Sequence, residues 1–492
     1  MSVERTGTVP TRPRAGLGPA FDAAIPIARR APASAVGLLT TGCAAIAALS
    51  LLLPSAVTYD PLAWLIWGRE VLHLDLSTNY GPSWKPLPVA VDTVLALTGS
   101  AAPWLWLVVA RTGGLMALAG CFRLASRLGG VPAGVIAAAA LALSHEWWRD
   151  SWLGNSEGLL LALVFFAIER HLDGRRRQAL VLGFFAALLR PEVWPFLGLY
   201  GLWLWFREPA LRRLSLVLAG LIALLWFVPE LIGSGDLFRA ATRAKSPAPG
   251  SAVPALSAHP VHTLLSNSRH VLIQPALWGA AIAALGYLWR PWRREFVTPV
   301  IALGAVAWLG VVAAMTAHGY SGNARYLIAP GGLACVVAGV GWARLGSVIV
   351  ERVRIVPPAL AGALLSVALI GGSLAWALPR IDLFKAEARM ARHEARVNHN
   401  IAAAVDRAGG PARVRACRGV YTGPFEVPIV AWQLHRHFSG VGLEPRTPGM
   451  IFQAPVSPNA ERVPVPPGGF LQVAAAGPWR VFASCASPRG NG

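Results

Sequence analysis

The chain has 492 residues, of which 55% are hydrophobic and only 14% are charged, and its mean hydropathy is +0.51. A water-soluble protein carries about 25% charged residues, so this composition excludes an ordinary soluble enzyme and indicates a polytopic membrane protein. The net charge of +20 does not indicate nucleic-acid binding, because the arginines lie in short clusters between apolar runs. We therefore expect the lipid bilayer, and no nucleic acid, as a partner.

Residues 1–33 are rich in arginine and proline and are predicted to be a disordered cytoplasmic tail. Beyond them, the hydropathy pattern predicts a transmembrane domain over residues 34–378 with about eleven α-helical spans. The apolar segments lie near 34–56, 104–124, 131–146, 157–170, 178–190, 192–206, 214–233, 270–289, 297–317, 325–345 and 358–378.

Short arginine clusters follow alternate spans, for example around Arg123 and around Arg176. Because cytoplasmic loops are enriched in Lys and Arg, these clusters predict a cytoplasmic N-terminus and an extracytoplasmic C-terminus in a multi-pass cell-membrane protein. The outer face then receives most of the polar segments, namely 57–103, 146–157, 190–192, 234–269, 318–325 and the C-terminal region 379–492.

The outer loop 57–103 opens with the sequence TYDPLAWLIWGREVL. Its apolar residues, with Trp64 and Trp67 among them, predict a short amphipathic helix that lies along the outer leaflet or covers the helix bundle. Asp60 follows the first span directly. A carboxylate at that boundary could act as a general base towards a hydroxyl, and the alternative is a helix N-cap, since Asp before Pro is a good helix start.

Further along this loop, the sequence PSWKP presents Lys85 beside Trp84 on a rigid segment. One cation next to one indole suits a phosphate at a lipid or sugar surface. The alternative is a Trp-anchored loop whose lysine extends to the headgroup region.

Several other ionisable residues lie at span ends on the same predicted side. Arg190 and Glu192 flank Pro191 in a turn at membrane depth, where we expect them to pair. Arg325 and Tyr326 open a late span, and arginine suits bidentate phosphate binding. Glu157 could begin a helix or face a cavity. For the arginines, structural pairing is an equal alternative to ligand binding.

Residues 379–492 are predicted to form a small extracytoplasmic α/β domain. Its N-terminal part, 381–408, has a helix-forming composition, and a second helix is predicted around 427–432. The segments VRAC (414–417), FLQVAAA (470–476) and WRVFASC (479–485) are predicted strands. Cys417 and Cys485 could form a disulfide in an oxidising compartment. No Cys/His spacing predicts a zinc finger.

The assembled pattern resembles the GT-C superfamily of integral membrane glycosyltransferases over roughly residues 34–378. The similarity rests on Tyr59-Asp60-Pro61 after the first span, on about eleven spans followed by an outer domain, and on Gly322-Asn323-Ala324-Arg325-Tyr326 at a late span. The Ala- and Arg-rich composition further resembles actinobacterial members that build cell-wall glycans.

The resemblance implies a sugar donor carried on a polyprenyl phosphate and a glycan or lipid acceptor. Asp60 would then be the general base, and Lys85, Arg190 and Arg325 would bind the phosphate. Many members have two adjacent acidic residues in the first loop, whereas Pro61 follows Asp60 here. No cofactor is therefore predicted with certainty, and a divalent metal such as Mg²⁺ or Mn²⁺ stays open.

Two other functions are compatible with the sequence. A flippase or transporter of lipid-linked sugars would use the same outer helices and intramembrane charges without bond chemistry. A non-catalytic scaffold of an envelope-assembly complex would use the C-terminal region as its binding module.

Overall fold

The computed structural model describes residues 33–246, 253–288, 295–352 and 357–485. Apart from Ala33, the predicted cytoplasmic tail lies outside the described residues. The helices, numbered along the chain, are α1 Ala33–Leu49, α2 Tyr59–Leu72, α3 Pro86–Leu95, α4 Ala102–Ala142, α5 His145–Trp152, α6 Glu157–Leu172, α7 Arg176–Ala187, α8 Trp194–Arg207, α9 Arg212–Ser234, α10 Arg239–Ala244, α11 Pro260–Asn267, α12 Gln274–Gly286, α13 Val297–Ala317, α14 Ile328–Arg352, α15 Pro358–Arg407, α16 Gly410–Ala416 and α17 Val427–Gln433. Short 3₁₀ turns, Pro191–Val193 and Ala324–Leu327, precede α8 and α14.

Six helical stretches of the described chain are long and apolar enough to cross a membrane, and a seventh is formed if the bent pair α5 and α6 counts as one span. This supports the predicted polytopic helical architecture. The number of about eleven spans stays a prediction, because α7, α8 and α12 have 12, 14 and 13 residues and a straight span needs about 20.

Helix α4 contains a chain reversal at Gly130, whose φ of 80° and ψ of 175° are not helical. A Cβ atom at Gly134 would lie 2.7 Å from the carbonyl oxygen of Phe122, twelve residues earlier. A straight helix would separate these residues by about 18 Å. The two apolar segments predicted at 104–124 and 131–146 therefore fold back on each other.

Helix α14 forms the centre of the membrane bundle and packs closely against α4 and α12. Glycines make this approach possible: a Cβ atom at Gly341 would collide with the carbonyl oxygen of Gly279, and one at Gly339 would collide with that of Ala133. Small residues at such contacts bring helix backbones together, which gains van der Waals contact where lipid gives no hydrophobic driving force.

The structure decides between the two predicted positions of α2. The position along the outer leaflet is wrong, whereas the alternative, a cover on the helix bundle, agrees with the packing of the helix. Every residue from Pro61 to Gly68 is buried, and Trp64 and Trp67 have no exposed surface. A helix that is apolar on all sides is stable only when it is surrounded. In this fold α2 is enclosed by α3, by α4 through Trp106, and by the C-terminal region through α17 and Phe438.

The C-terminal region is built on one long helix. Helix α15 has 50 residues and continues from an apolar segment into the predicted helix 381–408, with Pro379 inside it. Behind it lies a four-stranded sheet built from β1 Gly419–Thr422, β2 Gly449–Gln453, β3 Leu471–Ala476 and β4 Trp479–Ala483. The order of the strands across the sheet is β1-β2-β4-β3, in which β1 and β2 are parallel and the other pairs are antiparallel. Trp479 donates a 2.9 Å hydrogen bond to the carbonyl of Val397 on α15, which anchors the sheet to the helix.

The predicted strands at 470–476 and 479–485 are confirmed, as is the helix around 427–432. The predicted strand VRAC is wrong, because Val414 to Ala416 complete α16 and the strand begins at Gly419. The structure joins Cys417 and Cys485 in a disulfide with Cα atoms 5.6 Å apart.

The C-terminal region binds α2 through charged contacts. Arg69 donates hydrogen bonds to the carbonyl oxygens of Trp432, at 3.3 Å, and Arg436, at 3.1 Å. The imidazole of His437 lies between two carboxylates of the first loop, 2.7 Å from Glu70 and 3.0 Å from Asp75. The first loop is therefore held between the membrane bundle and the C-terminal sheet.

One buried acid of the C-terminal region generates a pH-dependent prediction. Burial raises the pKa of Glu426 from 4.5 to about 8. Its folded pKa exceeds its unfolded pKa, so its contribution to stability is complete below pH 4.5 and is lost as the pH rises towards 8. We expect Glu426→Gln to raise the melting temperature near pH 8 relative to wild type and to flatten its pH dependence between about pH 5 and 8.

The measurement is the melting temperature of the purified protein at intervals across this pH range. Glu444→Gln is the matched control, because the Glu444 side chain is 86% exposed. Parallel curves for wild type and Glu426→Gln would contradict the prediction.

Candidate active site

Five ionisable residues from distant parts of the chain meet at the ends of helices. Asp60 lies in the first turn of α2, Lys85 directly precedes α3, Glu157 begins α6, Arg190 precedes the turn leading to α8, and Arg325 lies in the turn leading to α14. Prolines help to start three of these helices, since proline suits the first helical turn. Each residue is therefore at a helix N-terminus, where the backbone favours negative charge.

A cavity of about 780 Å³ opens at this meeting point. That volume is in the range typical of small-molecule sites. Its lining includes seven of the eight residues singled out from the sequence, which are Asp60, Trp84, Lys85, Arg190, Glu192, Arg325 and Tyr326. The eighth, Glu157, does not line the cavity but contacts two of its cations.

Asp60 is paired with Arg325. Its Oδ2 lies 2.8 Å from a guanidinium nitrogen of Arg325, and its side chain is 15% exposed. The N-cap position of α2 belongs to Thr58, and the helix begins at Tyr59. The alternative interpretation of Asp60 as the N-cap is therefore wrong: the carboxylate faces the cavity instead.

Glu157 lies between two buried cations. One of its oxygens accepts a hydrogen bond from Arg190 and lies 3.7 Å from the ammonium of Lys85. Lys85 also donates a 3.0 Å hydrogen bond to Ser156 and lies 4.8 Å from the centre of the Trp64 ring. Burial lowers the pKa of Lys85 to about 8, against the opposing effect of Glu157. The lysine therefore titrates closer to neutral pH than an exposed lysine.

Arg190 connects this pair to the cavity wall. It lies 3.5 Å from Glu192, as expected from the sequence, and its guanidinium is 4.2 Å from the centre of the Tyr326 ring. The Tyr326 hydroxyl is 3.0 Å from that of Ser321. Within the described chain, Glu157 Oε2, Glu192 Oε2 and Arg325 Nε are buried without a hydrogen-bond partner. These atoms are candidates for contact with water or a ligand.

Trp84 lines the cavity and also holds the segment around it in place. Its indole nitrogen donates a 3.0 Å hydrogen bond to the carbonyl of Leu225, and its ring packs 5.5 Å from that of Trp67. This fixes the PSWKP segment from both sides and directs Lys85 towards Glu157.

Sequence reasoning missed part of the lining, notably Tyr59, Arg243 and Tyr320. Arg243 donates a 2.8 Å hydrogen bond to the carbonyl of Gly81, and Lys245 lies 5.1 Å from the Tyr320 ring centre. The sequence did contain a signal for Arg243. Arg239, Arg243 and Lys245 form a basic cluster in a loop that is predicted to lie outside, although Lys and Arg are usually enriched in cytoplasmic loops.

The charges of the lining favour an anion. Four cations, Lys85, Arg190, Arg243 and Arg325, face two carboxylates, Asp60 and Glu192. With the carboxylate of Glu157 behind them, one positive charge still remains in excess. A Mg²⁺ or Mn²⁺ ion fits this lining poorly, because both ions need several oxygen ligands and Asp60 is already paired with Arg325.

No protein-family model matches the sequence, and no curated protein is significantly similar to it in sequence. Solved structures are similar in fold. The structure of ArnT from Cupriavidus metallidurans bound to undecaprenyl phosphate has a TM-score of 0.54 and 13% identity, covering 93% of this chain and 99% of ArnT. The structure of the same ArnT in the apo state has a TM-score of 0.53 and 14% identity, covering 93% of this chain and 100% of ArnT.

The chain shares the fold of the two ArnT structures. Fold similarity at this identity supports the architecture expected from the sequence, and the similarity extends over nearly the whole of both chains. The oligosaccharyltransferase of Archaeoglobus fulgidus is a more distant match, with a TM-score of 0.45 and 12% identity over 82% of this chain and 63% of the other.

The buried charges around Glu157 predict that its substitution lowers the stability of the protein. We expect Glu157→Gln to destabilise the protein by about 3–5 kcal/mol, because it removes the carboxylate shared by Lys85 and Arg190 while both cations stay buried. The measurement is thermal unfolding of the purified protein in detergent.

Asp382→Asn is the matched control for this change. Asp382 pairs with Lys385 at 3.2 Å, but its side chain is 82% exposed, so we expect little change. Equal stability of the two variants would show that the Glu157 network is not what holds these helices together.

Proposed function

We propose that the chain is a membrane glycosyltransferase that moves a sugar from a polyprenyl-phosphate donor to a glycan or lipid acceptor of the cell envelope, on the outer face of the membrane. The observation that carries the proposal is the cavity itself, in which four cations and two carboxylates, Asp60 and Glu192, meet at the ends of apolar helices. The GT-C fold supports it, and the similar ArnT structure binds undecaprenyl phosphate.

The lining matches both ends of such a donor. The cations suit its phosphate, since charge-assisted hydrogen bonds from Arg and Lys are the strong ones. The apolar and aromatic part of the lining, which includes Trp194, Trp226 and Phe227, suits the first isoprene units. We infer that Lys85, Arg190 and Arg325 bind the phosphate, with Arg243 as a further cation.

The proposed reaction needs one base and one stabilised leaving group. Asp60 removes the proton from the acceptor hydroxyl, whose oxygen forms a bond to the anomeric carbon of the sugar. The bond between that carbon and the phosphate oxygen breaks, and its electron pair stays on the lipid phosphate, which the cations stabilise. Attack from the opposite side inverts the anomeric configuration. A phosphate needs no strong acid to leave.

The pair between Asp60 and Arg325 fits this role. In the free protein, Arg325 provides the partner of this carboxylate. A bound phosphate would compete for the guanidinium and so release Asp60 to contact the acceptor hydroxyl. Donor binding would thus free the base, and the protein would not need to bury an unpaired carboxylate beforehand.

The test of the base is Asp60→Asn. Cells that carry this variant at wild-type membrane levels should show the lipid-linked glycans of the deletion strain, with turnover reduced about 10²–10⁴-fold, measured by mass spectrometry of extracted lipids. Asp382→Asn is the matched control, since it makes the same change at an exposed carboxylate that does not line the cavity. Normal glycans with Asp60→Asn would exclude Asp60 as the base and favour transport or scaffolding.

A second prediction concerns the phosphate. Undecaprenyl phosphate should bind to Lys85→Met at least about 10-fold more weakly than to wild type, because one charged hydrogen bond to the phosphate is lost. The ion pair between Glu157 and Arg190 remains in this variant. In wild type, binding should weaken as the pH rises through about 8, where Lys85 loses its proton. Lys385→Met, at an exposed site, is the control. Unchanged affinity of Lys85→Met would remove the lysine from the phosphate site.

A further inference from the structure

We propose that His145, Glu146 and His270 form a zinc site that joins the start of α5 to the segment before α12, beside the C-terminal helix α15. The two histidines and the glutamate come from separate segments: the start of α5 and the turn before α12. One possible ligand atom from each lies within 4.8 Å of the other two. In the described chain, none of the three lines the cavity at Asp60, so this site is distinct from the proposed active site.

The hydrogen bonding of His145 fixes which nitrogen would bind the metal. Its Nε2 is 3.1 Å from a carboxylate oxygen of Glu387 on α15. When Nε2 carries the proton and donates it to Glu387, Nδ1 of the neutral imidazole carries the free lone pair. Metal-binding histidines are commonly held in this way by a carboxylate on the other ring nitrogen.

The free nitrogen points into the cluster. His145 Nδ1 is buried without a hydrogen-bond partner in the described chain, and it lies 3.6 Å from a carboxylate oxygen of Glu146. The ring centres of His145 and His270 are 6.1 Å apart. A buried ring nitrogen without a hydrogen-bond partner is costly unless something else satisfies it. A cation at this point would satisfy it together with Glu146.

The ligand set selects the metal. Two imidazole nitrogens and one carboxylate oxygen are typical of zinc, whereas Mg²⁺ and Ca²⁺ prefer oxygen alone. Ligand atoms around a tetrahedral zinc lie about 3.3 Å apart, so side-chain movements of about an ångström would close this set. The fourth position would be left to a water molecule.

Such a metal would help to hold the C-terminal helix α15 in place, because Glu387 of this helix contacts the proposed ligand His145. Glu387 contacts Arg149 of α5 at 3.5 Å as well as His145, so α5 and α15 already meet through this carboxylate. Zinc would add a bond between α5 and the segment before α12. We infer a structural role, independent of the sugar-transfer step.

The test measures zinc binding directly. The full chain, purified in detergent with a histidine-free tag and stripped with a chelator, is titrated with ZnCl₂ against a fluorescent zinc indicator. We expect one zinc per chain. Glu387→Gln should weaken binding about 10–100-fold, as loss of an outer carboxylate does, and His145→Gln and His270→Ala should weaken it more.

Two controls separate this site from zinc bound elsewhere on the chain. His262→Ala removes an exposed histidine eight residues before His270 and should bind zinc as the wild type does. Asp60→Asn should also bind it normally, which distinguishes the cluster from a metal in the active site. Added zinc should raise the melting temperature of wild type and of His262→Ala but not of a folded His270→Ala protein.

Two results would overturn the proposal. One is binding of less than one zinc per chain with no shift in melting temperature, which would leave His145 as a protonated partner of Glu146 and Glu387. The other is zinc binding that survives in the His145 and His270 variants. Since sugar transfer is not measured, either result leaves the proposed function untouched.

Discussion

The shared carboxylate of Glu157 is the contact on which the site depends. It is 1% exposed and contacts two cations that come from different loops, Lys85 and Arg190. A buried charge without a partner is unstable, so α3, α6 and the turn before α8 must assemble together or not at all. The pair of Asp60 and Arg325 joins α2 to α14 in the same way. These buried pairs therefore couple the packing of the helices to the formation of the cavity.

The same network leaves the cavity with an electrostatic preference. Each carboxylate is matched to at least one cation, and the lining still has positive charge in excess. Because the walls are largely apolar, this charge is poorly screened and acts strongly on whatever enters. The converging helix N-termini add to it. An anionic group with an apolar chain matches both properties, whereas a neutral sugar alone matches neither.

Much of the site was predictable from the sequence, because ionisable residues are rare in apolar surroundings and therefore informative. Asp60, Lys85 and Arg325 were found by that rule together with the topology. The partners of these residues were harder to predict from the sequence. Glu157 and Lys85, for example, form an ion pair although they lie 72 positions apart in the chain. The position of α2 was left open because an apolar surface can face lipid or protein equally well. Strand β2 was missed because all five of its residues are buried, which removes the alternation that reveals a strand.

The length of α15 has a mechanical consequence. Its 50 residues extend about 75 Å, from a lipid-facing half with exposed Leu364 and Val367 to the half that supports the sheet. The loop beside that sheet places Phe425 in the cavity wall. A continuous helix transmits tilt along its whole length. The thickness and order of the surrounding lipid would thus influence how far Phe425 stands from Asp60, which makes the bilayer itself part of the geometry of the cavity mouth.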